Sequence, residues 1–267
     1  MKKHTITLIM LSLIAVLALS ACGVLQEPEA ASGTIEAIPL ETQSAGVADA
    51  TEPPAVVAPT EPPAEPTPAS ETTTETEPPT EAPTEASASA AAVFTIDQGA
   101  SQVRFQLDED LRGVRTTVVG ATDQVAGQLS LNPADLSQTQ VGVIQINART
   151  LATDNNFRNR AIQNEILDTG SYEFITFTPT GIEGLPPAAA IGETVTFTLV
   201  GDLTIRDVTL PATFTVEATA ASESQIVGTA TAVVNRADFG LQIPSVPNVA
   251  NVEEEVELYI DFTANAS

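Results

Sequence analysis

Residues 256–262 read Val-Glu-Leu-Tyr-Ile-Asp-Phe, and this alternation of apolar and polar side chains decides the fold class. Successive side chains of a β-strand point to opposite faces, so a period of two predicts a strand with one buried face. The same alternation recurs at residues 101–107, 195–200 and 212–217. Four less regular apolar runs are further strand candidates, and they lie at residues 124–131, 141–148, 172–178 and 226–234.

One stretch between these candidates lacks the period of two. Residues 153–167 instead have apolar side chains at helical spacing, with Thr153 or Asp154 as a possible N-cap and Gly170 as a stop signal. We therefore predict a mainly β domain in which eight antiparallel strands form a barrel or sandwich, with one short helix inserted between strands. The apolar helical face would consist of Phe157, Ala161, Ile162 and Ile166.

The amino terminus has the organisation of an export signal. Lys2 and Lys3 precede an apolar run from Ile6 to Leu19, which is shorter than the roughly 20 residues of a membrane span. Residues 19–23, Leu-Ser-Ala-Cys-Gly, resemble the lipobox of bacterial lipoproteins. The resemblance implies that residues 1–21 are a lipoprotein signal peptide and that Cys22 is lipidated. It also implies an extracytoplasmic location on a bacterial membrane. The alternative is an ordinary secretory signal.

Residues 22–93 have a different composition from the rest of the chain. They contain most of its 19 prolines, many acidic residues and no basic ones, and they repeat the motif Thr-Glu-Pro-Pro. Such a segment buries too little apolar surface to offset its conformational entropy. We predict a disordered, extended linker, either a spacer that holds residues 94–267 away from the membrane or an inert tail.

The composition restricts the possible chemistry. No histidine, cysteine, lysine or tryptophan follows Cys22, which removes the usual nucleophilic triads, Schiff-base lysines and zinc sites. The acidic tripeptides at residues 108–110 and 253–255 lack the spacing of a calcium loop, and we interpret them as solvated charge. A net charge of -25 disfavours binding to nucleic acid. We therefore predict no enzyme activity, no metal and no cofactor.

Three ordered segments carry a family resemblance. They are residues 158–177, which include Arg-Asn-Arg-Ala and Tyr-Glu-Phe-Ile-Thr-Phe; residues 200–211, Val-Gly-Asp-Leu-Thr-Ile-Arg-Asp-Val-Thr-Leu-Pro; and residues 235–240, Asn-Arg-Ala-Asp-Phe-Gly.

These segments, with the opening Phe-Thr-Ile-Asp at residues 94–97, resemble the YceI-like family. The resemblance implies a lipocalin-like barrel that binds polyisoprenoids or other amphiphiles. The chain departs from the family pattern at Ala100, Glu173 and Asp207, where members have histidine, proline and glycine. Any role of the family's histidines is therefore not carried over.

Within such a barrel, alternation places one set of apolar side chains in the lumen, where a ligand tail would bind; the alternative for each is plain core packing. A second set of polar residues would meet a headgroup at the mouth, although Arg236 has the alternative of a structural pair with Asp238. The lumen candidates are Phe105, Ile146, Ile175, Phe177, Phe197 and Phe214, and the mouth candidates are Arg158, Asn235 and Arg236.

The predicted function is a membrane-anchored barrel that binds an isoprenoid or other amphiphilic ligand. Two alternatives remain: a barrel with a filled core that docks a protein partner at the cell surface, and a carboxylate-dependent hydrolase with two acidic residues facing each other in a cleft. The oligomeric state is not predicted.

Overall fold

The computed structural model describes residues 26–40, 91–132 and 135–267. The predicted signal peptide, Cys22 and the greater part of the predicted linker lie outside these residues. Within the described part of the chain, no helix is both long and apolar enough to cross a bilayer.

A single antiparallel sheet of 13 strands dominates the described residues. In chain order the strands are β1 (Ala92–Ile96), β2 (Gln102–Leu111), β3 (Val114–Thr122), β4 (Val125–Ala126), β5 (Gln128–Asn132), β6 (Asp135–Val141), β7 (Ile144–Asn147), β8 (Phe174–Glu183), β9 (Thr194–Ile205), β10 (Val208–Ser222), β11 (Gln225–Asn235), β12 (Val249–Ala250) and β13 (Glu255–Ala266).

The long strands β8, β9, β10, β11 and β13 pair in sequence order, apart from the short β12. The last strand, β13, pairs with β11 along one edge and with two strands in succession along the other. On that second edge, Ala264 pairs with Ile96 in β1, and Ile260 pairs with Val103 in β2. This branching lets the sheet curl into a half-barrel. An antiparallel bridge between Ala121 and Ala152 links the end of β3 to the chain after β7.

The prediction of a mainly β fold with one short helix is confirmed, but eight strands are not. The candidate at residues 124–131 is two strands interrupted at Gly127. Strand β3 was not predicted, because its inward positions are Val118, Gly120 and Thr122, which give a weak apolar signal. Strand β6 is largely polar, and only Leu136 in it is fully buried.

The helix begins later than predicted and changes its winding. The α-helix α1 covers Asn156–Ala161, and a π-helical turn continues it over Ile162–Ile166. The N-cap is Asn155, whose Oδ1 accepts hydrogen bonds from the backbone N–H groups of Phe157 and Arg158. Neither Thr153 nor Asp154 is the cap, because the helix begins only at Asn156.

A part of the predicted linker lies on the domain. Residues 26–40, which we call the docked segment, contain the buried side chain of Ile35 and form hydrogen bonds with residues distant in sequence. Disorder throughout residues 22–93 is therefore not confirmed. A segment rich in proline and glutamate that is too polar to fold alone can still pack on a surface built by other residues.

Candidate ligand-binding cavity

The curled sheet encloses a cavity of about 410 Å³, which we call the mouth cavity. Ligand pockets typically have volumes of about 300–1,000 Å³, so this one has room for a small amphiphile. Strand β2 contributes every second residue to its wall, and α1 with the π turn forms a second wall. The alternating β2 residues are Val103, Phe105, Leu107, Glu109 and Leu111, and Arg104 of the same strand lines the cavity as well.

The mouth cavity reaches the protein surface beside the helix. Phe157, near the start of α1, lines the cavity and is 65% exposed. Val246, in the loop between β11 and β12, also lines the cavity and is exposed. Two apolar side chains thus stand at the entrance, in contact with solvent.

A second cavity of about 130 Å³, which we call the inner cavity, lies beside the mouth cavity in the half-barrel. Phe177, Phe214 and Ile260 line both cavities and therefore stand between them. The rings of Phe177 and Phe214 meet edge to face, with centroids 4.8 Å apart. This aromatic pair divides the interior into two compartments.

All six predicted lumen residues line one or both cavities. Phe177 and Phe214 line both, and Phe197 lines only the inner cavity. The remaining three, Phe105, Ile146 and Ile175, line only the mouth cavity. Alternation thus located the inward face of the strands, while contact of these residues with a ligand stays a prediction.

The predicted mouth residue Arg158 forms an ion pair at the cavity wall. Its Nη2 donates to Oε1 of Glu109 at 2.8 Å, and its Nη1 donates to Oδ1 of Asp154 at 2.7 Å. The Glu109 side chain is only 7% exposed, whereas that of Asp154 is 87% exposed. Arg158 thus pairs with the Glu109 carboxylate, and both side chains line the mouth cavity.

The other two mouth candidates have structural contacts. Arg236 lines the mouth cavity and donates to the backbone carbonyls of Leu241, Val252 and Glu253. Among the described residues, the guanidinium of Arg236 hydrogen-bonds to these carbonyls and not to Asp238. The expected pair of Arg236 with Asp238 is therefore wrong. The side chain of Asn235 accepts from the backbone of Ala237 and lines neither cavity.

Three carboxylates of the two acidic tripeptides lie near one arginine. Asp108 and Asp110 point to the opposite face of β2 from Glu109, and both lie near the guanidinium of Arg115, at 3.5 and 3.6 Å. Arg115 also pairs with Glu253. The described residues contain no group of three or more acidic, histidine or cysteine side chains that could hold a metal ion.

Glu109 is a wall residue that was not predicted, because the strand period that turns it inward runs through three consecutive acidic residues. Two glycines that make room for aromatic rings were not predicted either. A Cβ on Gly120 would lie 2.2 Å from the ring of Phe105, and one on Gly201 would lie 2.7 Å from the ring of Phe177. Glycine in the interior of a strand is the signal that could have found these close approaches.

A polar cluster lies between the domain and the docked segment. Burial of Glu173 raises its pKa, but this effect is outweighed by hydrogen bonds from the side chain and backbone of Ser32, a hydrogen bond from Asn147 and the charge of Arg149. The pKa of Glu173 is therefore lowered from its usual value. The carboxylate form is favoured where the segment docks.

The fold and cavities define a class of protein: an antiparallel half-barrel with an apolar interior that opens beside an inserted helix. The YceI-like domain family matches residues 94–264, so the chain belongs to this family. The comparison with curated protein sequences found no relative of this chain.

Two solved structures have a similar fold. One is described as a polyisoprenoid binding domain from Saccharophagus degradans implicated in plant cell wall breakdown; it has a TM-score of 0.52 and 16% identity, covering 66% of this chain and 99% of that one. The other is Burkholderia cenocepacia BcnA, with a TM-score of 0.50 and 20% identity, covering 64% of this chain and 99% of that one. At these identities the likeness shows a shared fold.

Proposed function

We propose that the domain binds an isoprenoid or similar amphiphilic ligand, with the apolar tail in the mouth cavity. The observation that carries the proposal is the cavity itself, which is about 410 Å³ in volume and walled by apolar side chains. Burial stabilises an apolar tail by about 0.8 kcal/mol per methylene, so each five-carbon isoprene unit contributes roughly 3–4 kcal/mol. No catalytic group is needed.

The family assignment supports this ligand class, because one solved structure with the same fold is described as a polyisoprenoid binding domain. The alternative of a barrel that docks a protein partner assumed a core filled by its own side chains. Two cavities in the interior weigh against that assumption.

The test is a pair of matched substitutions on neighbouring strands. Leu107 lines the mouth cavity, and its neighbour in register on β3 is Val118. The next residue, Val119, is exposed on the outer face. The chain has no native tryptophan, so Leu107→Trp and Val119→Trp each introduce one fluorophore of the same size.

We expect Leu107→Trp to abolish binding of farnesol and of oleic acid, and Val119→Trp to leave it unchanged. Binding is measured by native mass spectrometry, and tryptophan emission shows whether each ring is buried. Equal binding by both variants, with the Leu107→Trp ring buried, contradicts the proposed site. If neither lipid binds the unaltered protein, the protein-docking alternative is favoured.

We further propose that the protein is a lipoprotein on the extracytoplasmic side of a bacterial membrane. The support is the resemblance of residues 19–23 to a lipobox, with the only cysteine of the chain at Cys22. Cys22→Ser is expected to abolish incorporation of labelled fatty acid and partitioning into the detergent phase of cell extracts. Unchanged partitioning indicates the secretory-signal alternative or another mode of attachment.

A further inference from the structure

The docked segment runs along the domain in one direction. At its amino-terminal end, Nδ2 of Asn164 donates to the carbonyl of Gln26 at 2.9 Å. Asn164 belongs to the π turn, and this turn is part of the wall of the mouth cavity. The beginning of the docked segment is thus bound to the helical element beside the opening.

The middle of the segment carries the strongest contacts. Arg149 donates to the carboxylate of Glu29 at 2.9 Å and to the carbonyl of Ala30 at 3.2 Å. Glu173 accepts hydrogen bonds from both the backbone and the side chain of Ser32. Charge-assisted hydrogen bonds of this kind are stronger than neutral ones, so they fix the position of the segment.

The carboxyl-terminal half of the segment continues toward the other end of the half-barrel. Ile35 is buried, with 7% of its surface exposed, and its carbonyl accepts from Nε2 of Gln98 at 2.6 Å. The backbone of Leu40 donates to the side chain of Gln128 in β5. The next residues of β5, Leu129 and Leu131, line the inner cavity. The segment therefore leads from the mouth cavity to the level of the inner cavity.

The length of the chain limits how far a lipidated Cys22 can lie from the start of the docked segment. Only four peptide steps separate Cys22 from Gln26, and an extended chain covers at most about 3.6 Å per residue, so the separation is at most about 14 Å. Residues 41–90 follow the docked segment in the chain and do not lie between Cys22 and the domain. They therefore do not set the distance between a lipidated Cys22 and the mouth cavity.

We infer that the docked segment turns the mouth cavity toward the membrane surface, so that the ligand enters from the bilayer. The inference rests on the proposed function, namely lipidation of Cys22 and an apolar ligand. Phe157 and Val246 at the opening then face lipid, and the ligand tail passes from the bilayer into the cavity without crossing water. This arrangement replaces the predicted spacer role of residues 22–93 with close attachment of the domain to the bilayer.

The test uses the full lipidated protein reconstituted in phosphatidylcholine vesicles. Lipidation occupies the only native cysteine, so a single introduced cysteine is labelled selectively with a bimane fluorophore. Phe157→Cys reports from the mouth. Ile191→Cys is the matched control: it is 53% exposed and lies between Ala189 and Glu193, which line the inner cavity. Lipids brominated on their acyl chains quench a fluorophore that approaches the bilayer.

We expect severalfold stronger quenching at position 157 than at position 191. The added substitution Ile35→Asp, which places a charge at a buried site of the docked segment, should remove most of this difference. Thr34→Asp, at the exposed neighbouring residue, should preserve it. Equal quenching at both labels overturns the inference, and so does a difference that survives Ile35→Asp.

Two controls separate this result from failure of the proposed function. Vesicle flotation shows whether the protein is anchored, and its failure refutes lipidation together with the inference. Binding of farnesol is measured separately in detergent. If farnesol does not bind and the quenching difference is still present, the proposed ligand class is refuted but the inferred orientation of the cavity is not.

Discussion

The Glu109–Arg158 ion pair at the wall of the mouth cavity allows a quantitative prediction. The Glu109 side chain is 7% exposed, so replacing Arg158 with methionine leaves a carboxylate in an apolar wall without its ion-pair partner. Removing one partner of a buried pair typically destabilises a protein by about 3–5 kcal/mol. Arg158 is also paired with Asp154, but that carboxylate is 87% exposed, and such pairs contribute about 0–1 kcal/mol.

The assay is urea unfolding of the purified protein followed by circular dichroism. With a denaturant slope of roughly 2 kcal/mol per M, we expect Arg158→Met to lower the midpoint by about 1.5–2.5 M. Asp154→Asn should lower it by less than about 0.5 M. The double substitution of Glu109→Leu with Arg158→Met should recover most of the loss, because no charge is then left in the wall.

Equal effects of Arg158→Met and Asp154→Asn would contradict this role of the ion pair, and so would a double variant that is less stable than Arg158→Met alone. In the first case the interaction of Arg158 with Glu109 contributes no more than a surface pair. In the second, the hydrocarbon side chains do not fit the space that the charged pair occupies.

Three further outcomes are expected. Because the pKa of Glu173 is lowered from 4.5 in the folded protein, the ionised carboxylate stabilises the fold above about pH 4.5, and this contribution is lost as the pH falls through the lowered value. Glu173→Gln should therefore show a smaller loss of unfolding midpoint between pH 7 and pH 3.5 than the unaltered protein; an equal loss would exclude Glu173 as a cause. Gly201→Ala should cost about 1–3 kcal/mol in urea unfolding, because its Cβ would lie 2.4 Å from a backbone carbonyl oxygen and 2.7 Å from the ring of Phe177. The control Gly99→Ala, whose Cβ would meet its nearest atom at 3.4 Å, should stay within about 0.5 kcal/mol of the unaltered protein. Phe214→Ala should join the two cavities and let the domain bind longer polyprenols, which titration with a chain-length series would detect as a longer preferred tail; an unchanged preference would show that the aromatic pair does not limit tail length.

The strand period by itself determined the fold class and the inward face of the sheet. Alternation in residues 256–262 and 101–107 predicted strands that the structure contains, and all six lumen candidates line a cavity. Local pattern suffices for this, because the side-chain direction in a strand depends only on the backbone period. The mouth candidates Arg236 and Asn235 contact backbone groups, which no side-chain pattern reveals, and their contact with a headgroup stays a prediction.

Only the tertiary structure decided whether the inward side chains fill the interior or leave space. The same phenylalanines are compatible with a solid core, and the cavities result from how strands far apart in sequence pack. Docking of residues 26–40 is likewise a tertiary property, because Glu29 and Ser32 find their partners about 120–140 residues further along the chain. Composition measures what a segment can bury by itself, and it contains no information about a surface that the rest of the chain provides.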